Sequence, residues 1–151
     1  MEMTGNKKIC RGITLHPGQA RIVKEILDNN VRYNIIKASR QFGKSTMMLQ
    51  LLLYYSLNNA NTTSYYITPT YKLSKHLYNI LIDAIKPTKI VKQDNISDFF
   101  IKIKNGSTIK FSTAENPDNL RGISPNYLFI DEFAFMDCEA IWTVLRPSLA
   151  V

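Results

Sequence analysis

Acidic residues are scarce in this chain. Asp and Glu number 12 against 19 Lys and Arg, a formal net charge of +7. That balance suits a partner built of phosphates, such as nucleic acid. Cysteine is scarcer still: Cys10 and Cys138 have no spacing that suits a disulfide framework or a metal site. They fit a reducing compartment. No long hydrophobic run is present. The most apolar stretch, Met47 to Leu57, is broken by Gln50 and is too short to cross a bilayer. The opening MEMTGNKKICRG lacks the apolar core of a signal peptide. There is no internal repeat and no low-complexity tract. What remains is a chain of 151 residues, 45% hydrophobic and 21% charged, enough for one globular domain with a core.

The stretch that organises the chain is Tyr33 to Tyr55. The short apolar run Tyr33–Lys37 reads as a strand, and Lys44 to Leu57 reads as a helix that is apolar almost all round. Between them lies Ala38-Ser39-Arg40-Gln41-Phe42-Gly43-Lys44-Ser45. Strand, loop, then helix is the context of a phosphate-binding P-loop, G-x-x-x-x-G-K-[ST]. Ala38 stands where the pattern has its first glycine, and the other fixed positions fit. Gly43 lets backbone approach phosphate oxygens without a Cβ. Backbone amides and the helix N-terminus form an anion-binding concavity. Lys44 places a point charge on the β/γ-phosphates of ATP, and Ser45 offers a hydroxyl to Mg²⁺.

Far downstream, Tyr127-Leu128-Phe129-Ile130 reads as a buried strand that ends in Asp131-Glu132. Parallel strands present their C-terminal ends to a bound ligand. Asp131 is therefore expected near the P-loop, holding Mg²⁺ through water or Ser45. Glu132, beside it, suits orienting and deprotonating an attacking water. Together the motifs predict an ATP-hydrolysing P-loop domain of the α/β class.

The rest of the chain fits around them. Residues 1–14 are expected to form a polar, loose segment, and 15–151 the N-terminal part of a P-loop ATPase domain without a nuclease domain. Pro17 starts a helix whose apolar stripe is Ile22, Val23, Ile26 and Leu27 and which ends at Asn29-Asn30. Gln19 on its first turn carries an amide that can both donate to and accept from an adenine edge. Ser64–Thr68 is a second strand, closed by Pro69. Tyr71 to Lys86 is an amphipathic helix stopped by Pro87. Phe99–Lys104 and Ser107–Ser112 form a hairpin joined by Asn105-Gly106. Its Ile101 and Ile103 share a face with Phe99, and Lys102 and Lys104 fall on the other, with Lys110 on the partner strand. This lysine row is either a solvated face or a contact for a DNA backbone. Thr113–Pro125 is a turn-rich loop carrying Arg121, and a further helix begins near Met136. No later strand that could carry a γ-phosphate sensor is legible, so the sequence predicts an incomplete domain.

These residues resemble the ATPase half of the large terminase subunit of tailed bacteriophages. The marks are Leu15-His16-Pro17-Gly18-Gln19, the loop Ser39-Arg40-Gln41-Phe42-Gly43-Lys44-Ser45, Tyr66-Ile67-Thr68-Pro69-Thr70, Leu120-Arg121-Gly122 and Phe129-Ile130-Asp131-Glu132. The resemblance implies a RecA-like, mostly parallel sheet flanked by helices, with ATP and Mg²⁺ as cofactors. It implies that Gln19 contacts adenine and that Ser39 through Thr46 line the nucleotide. Lys44 would contact phosphates, Ser45 and Asp131 would hold Mg²⁺, and Glu132 would activate water. Arg40 is similar to a loop arginine that senses the nucleotide state. Arg121 resembles an arginine finger offered to a neighbouring subunit, although it also suits a simple pair with Asp118 or Glu115. The implied partners are double-stranded DNA, a homo-oligomeric ring, the portal protein and the small terminase subunit. The implied location is the host cytoplasm at the procapsid portal. The family's coupling motif and nuclease domain are not legible. A helicase-like nucleic-acid remodelling ATPase and an inactive nucleotide-binding fragment are the other readings.

Overall fold

The computed structural model describes residues 14–29 and 31–149. The segment expected to be loose, 1–14, falls outside them apart from Thr14, as do Asn30, Ala150 and Val151. The helices are α1 (Pro17–Asn29), α2 (Lys44–Asn58), α3 (Tyr71–Ile85) and α4 (Cys138–Leu145). Their starts follow from local chemistry. Pro17 opens α1 because its missing N–H would be unsatisfied there anyway. The Thr70 hydroxyl caps α3 by accepting from the Leu73 amide at 3.3 Å. The Asp137 carboxylate caps α4 by accepting from the Ala140 amide at 3.0 Å. Pro87 sits in a 3-10 turn, Lys86–Thr88, that ends α3.

The strands are β1 (Thr63–Thr68), β2 (Val91–Asn95), β3 (Phe100–Ile103), β4 (Thr108–Thr113) and β5 (Tyr127–Ile130). They form one sheet in the order β2-β3-β4-β1-β5. β1 runs parallel to β4 and to β5, and β3 runs antiparallel to β4 and to β2. The Asn105-Gly106 turn closes the expected hairpin. Gly106 has φ +90, and a Cβ there would lie 2.0 Å from Asn61 Oδ1.

Register sorts the side chains by face. Tyr66, Phe111 and Phe129 share one face with Ile101, Ile103 and Ile109, and α2 and α3 cover it with Leu49, Leu52, Leu53, Leu77, Leu81 and Ile85. On the other face, α4 covers Ile67, Leu128 and Ile130 with Ile141, Val144 and Leu145. Lys102 and Lys110 lie on this second face, and Lys110 Nζ stands 5.6 Å from the centre of the Tyr65 ring. Lys104 falls instead in the turn after β3.

One expected strand does not form. Residues 33–37 have no regular secondary structure and pair with no described strand, and Ile35 is 97% exposed. A strand needs a neighbour for its N–H and C=O groups. Both sides of β1 are taken by β4 and β5, and among the described residues β5 pairs with β1 alone. Two isoleucines between Asn34 and Lys37 fix no register without such a neighbour.

The hairpin is tied to the helix layer by Asn105. Its Nδ2 donates to Ser56 O at 2.8 Å and Leu57 O at 3.2 Å, carbonyls at the end of α2. Its Oδ1 accepts from the Ser107 amide at 3.0 Å. Replacing Asn105 with Ala orphans these groups and is expected to cost about 1–3 kcal/mol. Urea unfolding should show a lower midpoint at an unchanged slope; an unchanged midpoint would mean that the turn does not hold α2.

Candidate nucleotide-binding site

The loop from Ala38 to Gly43 enters α2 through an unusual start. Gly43 has φ 78 and ψ 36, in the left-handed region, and no side chain caps the helix. The Met47 amide takes the Gly43 carbonyl at 3.0 Å as the first helical bond. The amides of the first turn therefore lack a side-chain acceptor, which is the arrangement that binds an anion. The left-handed turn also makes room for a second element. A Cβ on Gly43 would lie 2.3 Å from Gln19 Nε2.

Gln19 is 4% exposed. Its Nε2 donates to Phe42 O at 2.8 Å and to Gly43 O at 3.0 Å. Its Oε1 accepts from the His16 amide at 2.9 Å. The amide expected to face adenine thus has both N–H groups on the loop backbone, and one oxygen lone pair remains. His16 adds a second tie that the sequence reading did not assign. Its Nδ1 accepts from the Gly18 amide at 3.1 Å, which leaves Nε2 to donate to Phe42 O at 3.3 Å. The imidazole meets the Phe42 ring edge-on, centroids 4.9 Å apart.

Lys44 Nζ donates to Ala38 O at 3.1 Å and reaches Ser39 O at 3.5 Å, so the lysine spans its own loop. Gln41 holds φ 67, a left-handed conformation that is uncommon outside glycine. Ser39, Arg40 and Gln41 are exposed, and Phe42, Ser45 and Thr46 are half-buried.

The acidic pair approaches from β5. The Asp131 amide takes Ile67 O at 2.9 Å, extending the pairing with β1 by one residue. Asp131 is 2% exposed, and its Oδ2 accepts from the Tyr66 hydroxyl at 2.9 Å. Burial, then the Asp131 charge, hold the Tyr66 phenol well above its ordinary 10.0, and the Ser45 side chain acts on it in the opposite sense. Tyr66 therefore ties β1 to the residue that follows β5. Sequence reasoning missed it, because a tyrosine inside SYYIT reads as core. Glu132 is half-buried at φ 54, so the chain leaves the extended strand conformation just after Asp131.

A protein-family model described as terminase large subunit, T4likevirus-type, N-terminal, matches residues 35–149. The chain belongs to this family. That match favours the terminase reading over a helicase-like one. Solved structures agree in fold. An arginine-to-alanine variant of the Thermus phage P74-26 large terminase ATPase domain matches 91% of this chain at TM-score 0.74 and 17% identity. Another structure of that domain matches 74% at TM-score 0.62 and 19% identity. The HK97 bacteriophage large terminase matches 93% at TM-score 0.72 and 19% identity. This chain covers 61%, 52% and 33% of those chains respectively. No curated relative matches it.

In this terminase chain Arg121 stands apart from the loop. Its Nε pairs with Asp118 Oδ1 at 2.6 Å, both side chains exposed. The hollow it lines includes Pro117, Asp137, Glu139 and Thr143, on the α4 side. For a metal, no group of ≥ 3 His, Cys, Asp or Glu converges among the described residues. Ser45 and Asp131 supply hard oxygen donors, which suit magnesium because that ion takes most of its ligands from water and phosphate.

The contact between Gln19 and Gly43 can be tested by a double-mutant cycle. Gly43→Ala adds left-handed strain of about 1–2 kcal/mol to the clash with the amide. In a Gln19→Ala background only the strain remains. Urea titrations should show that Gly43→Ala costs less when Gln19 is absent; strictly additive costs would mean that the amide does not pack against Gly43.

Proposed function

We propose that this chain carries the ATP-hydrolysing site of a terminase motor that drives double-stranded DNA into a procapsid. The observation that supports it most is the uncapped start of α2, with Asp131 buried at the end of β5. In this reading the α2 amides receive the β- and γ-phosphates. Lys44 leaves the Ala38 and Ser39 carbonyls to meet them, so nucleotide replaces an internal bond of the loop. Ser39, Arg40, Gln41, Phe42 and Thr46 line the phosphate path with Gly43 and Ser45. Ser45 and Asp131 hold magnesium, which when bound neutralises charge on the phosphate oxygens. Glu132 orients water and accepts its proton as the oxygen attacks phosphorus. The free lone pair on Gln19 Oε1 suits an adenine amine. A base bound there would be connected through one amide to Phe42 and Gly43.

Arg40 is exposed on the loop and suits a sensor of the γ-phosphate. Arg121 suits a finger offered to the ATP of a neighbouring subunit. Its pair with Asp118 is exposed on both sides, and such pairs hold a side chain weakly. The exposed Lys110 and its neighbour Lys102 suit a nucleic-acid backbone. A ring of subunits, a portal protein and a small terminase subunit complete the motor in this reading, in the host cytoplasm.

Two substitutions test the site. Lys44→Ala should abolish binding of a fluorescent ATP analogue in a protein that unfolds at the same temperature. Retained affinity would remove the loop from the account. Glu132→Gln should still bind ATP but release phosphate about 10²–10⁴-fold more slowly. Unchanged turnover would assign water activation to another group. No phosphate release by the unsubstituted protein would favour a nucleotide-holding role instead.

A further inference from the structure

Tyr66 is fully buried in β1, and its ring stacks with Phe111 and Phe129, centroids 5.5 and 6.3 Å away. Those rings leave the phenol little freedom to reorient. Its hydroxyl donates to Asp131 Oδ2 at 2.9 Å, and the Ser45 side chain acts on the same hydroxyl. The hydroxyl thus touches Asp131, one of the two residues to which the proposed function gives the magnesium. An ionised carboxylate only accepts hydrogen bonds and has two oxygens. With one lone pair of Oδ2 engaged by Tyr66, Oδ1 is the freer oxygen to face an ion or its water.

We propose that Tyr66 is a positioning residue for the magnesium–nucleotide site. Its hydroxyl holds one oxygen of Asp131 from behind and turns the other towards the ion. The inference rests on the proposed nucleotide reading and adds a residue to it. Groups that orient a metal ligand from behind commonly govern metal affinity as strongly as some ligands do. A tyrosine that merely satisfies its hydroxyl in the core would act differently. Its loss would lower stability and leave the metal response alone.

Tyr66→Phe keeps the stacked ring and removes only the hydroxyl. The measurement is the magnesium concentration that half-saturates the magnesium-dependent part of fluorescent ATP-analogue binding. Urea unfolding is run alongside. The half-saturating concentration should rise about 10-fold or more in Tyr66→Phe. In an Asp131→Asn background the same substitution should add little, because the hydroxyl acts through that carboxylate. An unchanged half-saturation with only a lower unfolding midpoint overturns the positioning role. An equal effect with and without the Asp131 carboxylate overturns it too. If the unsubstituted protein does not bind the analogue at all, the nucleotide reading fails and this inference with it; if it binds with no magnesium dependence, the nucleotide reading stands and the positioning role is overturned.

Discussion

The site depends on how α2 begins. A helix start normally finds a Ser, Thr, Asp or Asn to accept its first amides. Here Gly43 turns the chain left-handed and offers nothing, while the Gln19 amide occupies the space where a Cβ would be. The helix is thus left with free donors and a positive dipole end, held in place from behind by α1. Both features come from one small residue and one amide. Everything else in the site is placed relative to that start. Lys44 bridges the loop, Ser45 lies on the first turn, and Tyr66 holds Asp131 from β1.

The sheet supplies the other half of the constraint. β1 is central, with β4 and β5 parallel on either side, so Ile67 and Asp131 meet at one end of the sheet. The aromatic row Phe111, Tyr66, Phe129 is packed in the core with residues of α2 and α3. Of the five described non-glycine residues with positive φ, Asn61, Lys89 and Phe99 lie in turns elsewhere, and two lie where chemistry is proposed. Gln41 and Glu132, both non-glycine, sit in the left-handed region at the loop and just beyond Asp131. Such conformations persist only where surrounding structure over-determines them. The packed core behind Asp131 and the Gln19 tie behind the loop supply that support.

Much of this was legible in the sequence wherever a signal was local. The Asn105-Gly106 hairpin, the apolar α2, the Pro17 start and the apolar strand before Asp131 each declare themselves within a few residues. The failures are all matters of long-range partnership. Tyr33–Lys37 has the composition of a strand, but no neighbour pairs with it. β2, Val91–Asn95, is polar along most of its length and lies at a sheet edge, so no alternation marks it. Gln19 advertises an amide, yet nothing local shows that the carbonyls of Phe42 and Gly43 take its N–H groups. Tyr66 looks like core and is core, except for one oxygen. Arg121 and Asp118 were legible as a pair because they lie three residues apart in one turn.

The central claim is that the uncapped α2 start and the Asp131 end of β5 form one phosphate site. Hydrogen exchange with and without a magnesium-bound, non-hydrolysable ATP analogue tests it most directly. The account predicts slowed exchange at the amides of residues 39–46 and 131–132, with the β2–β3–β4 side unchanged. Protection confined to other segments, or none at saturating analogue, would contradict it.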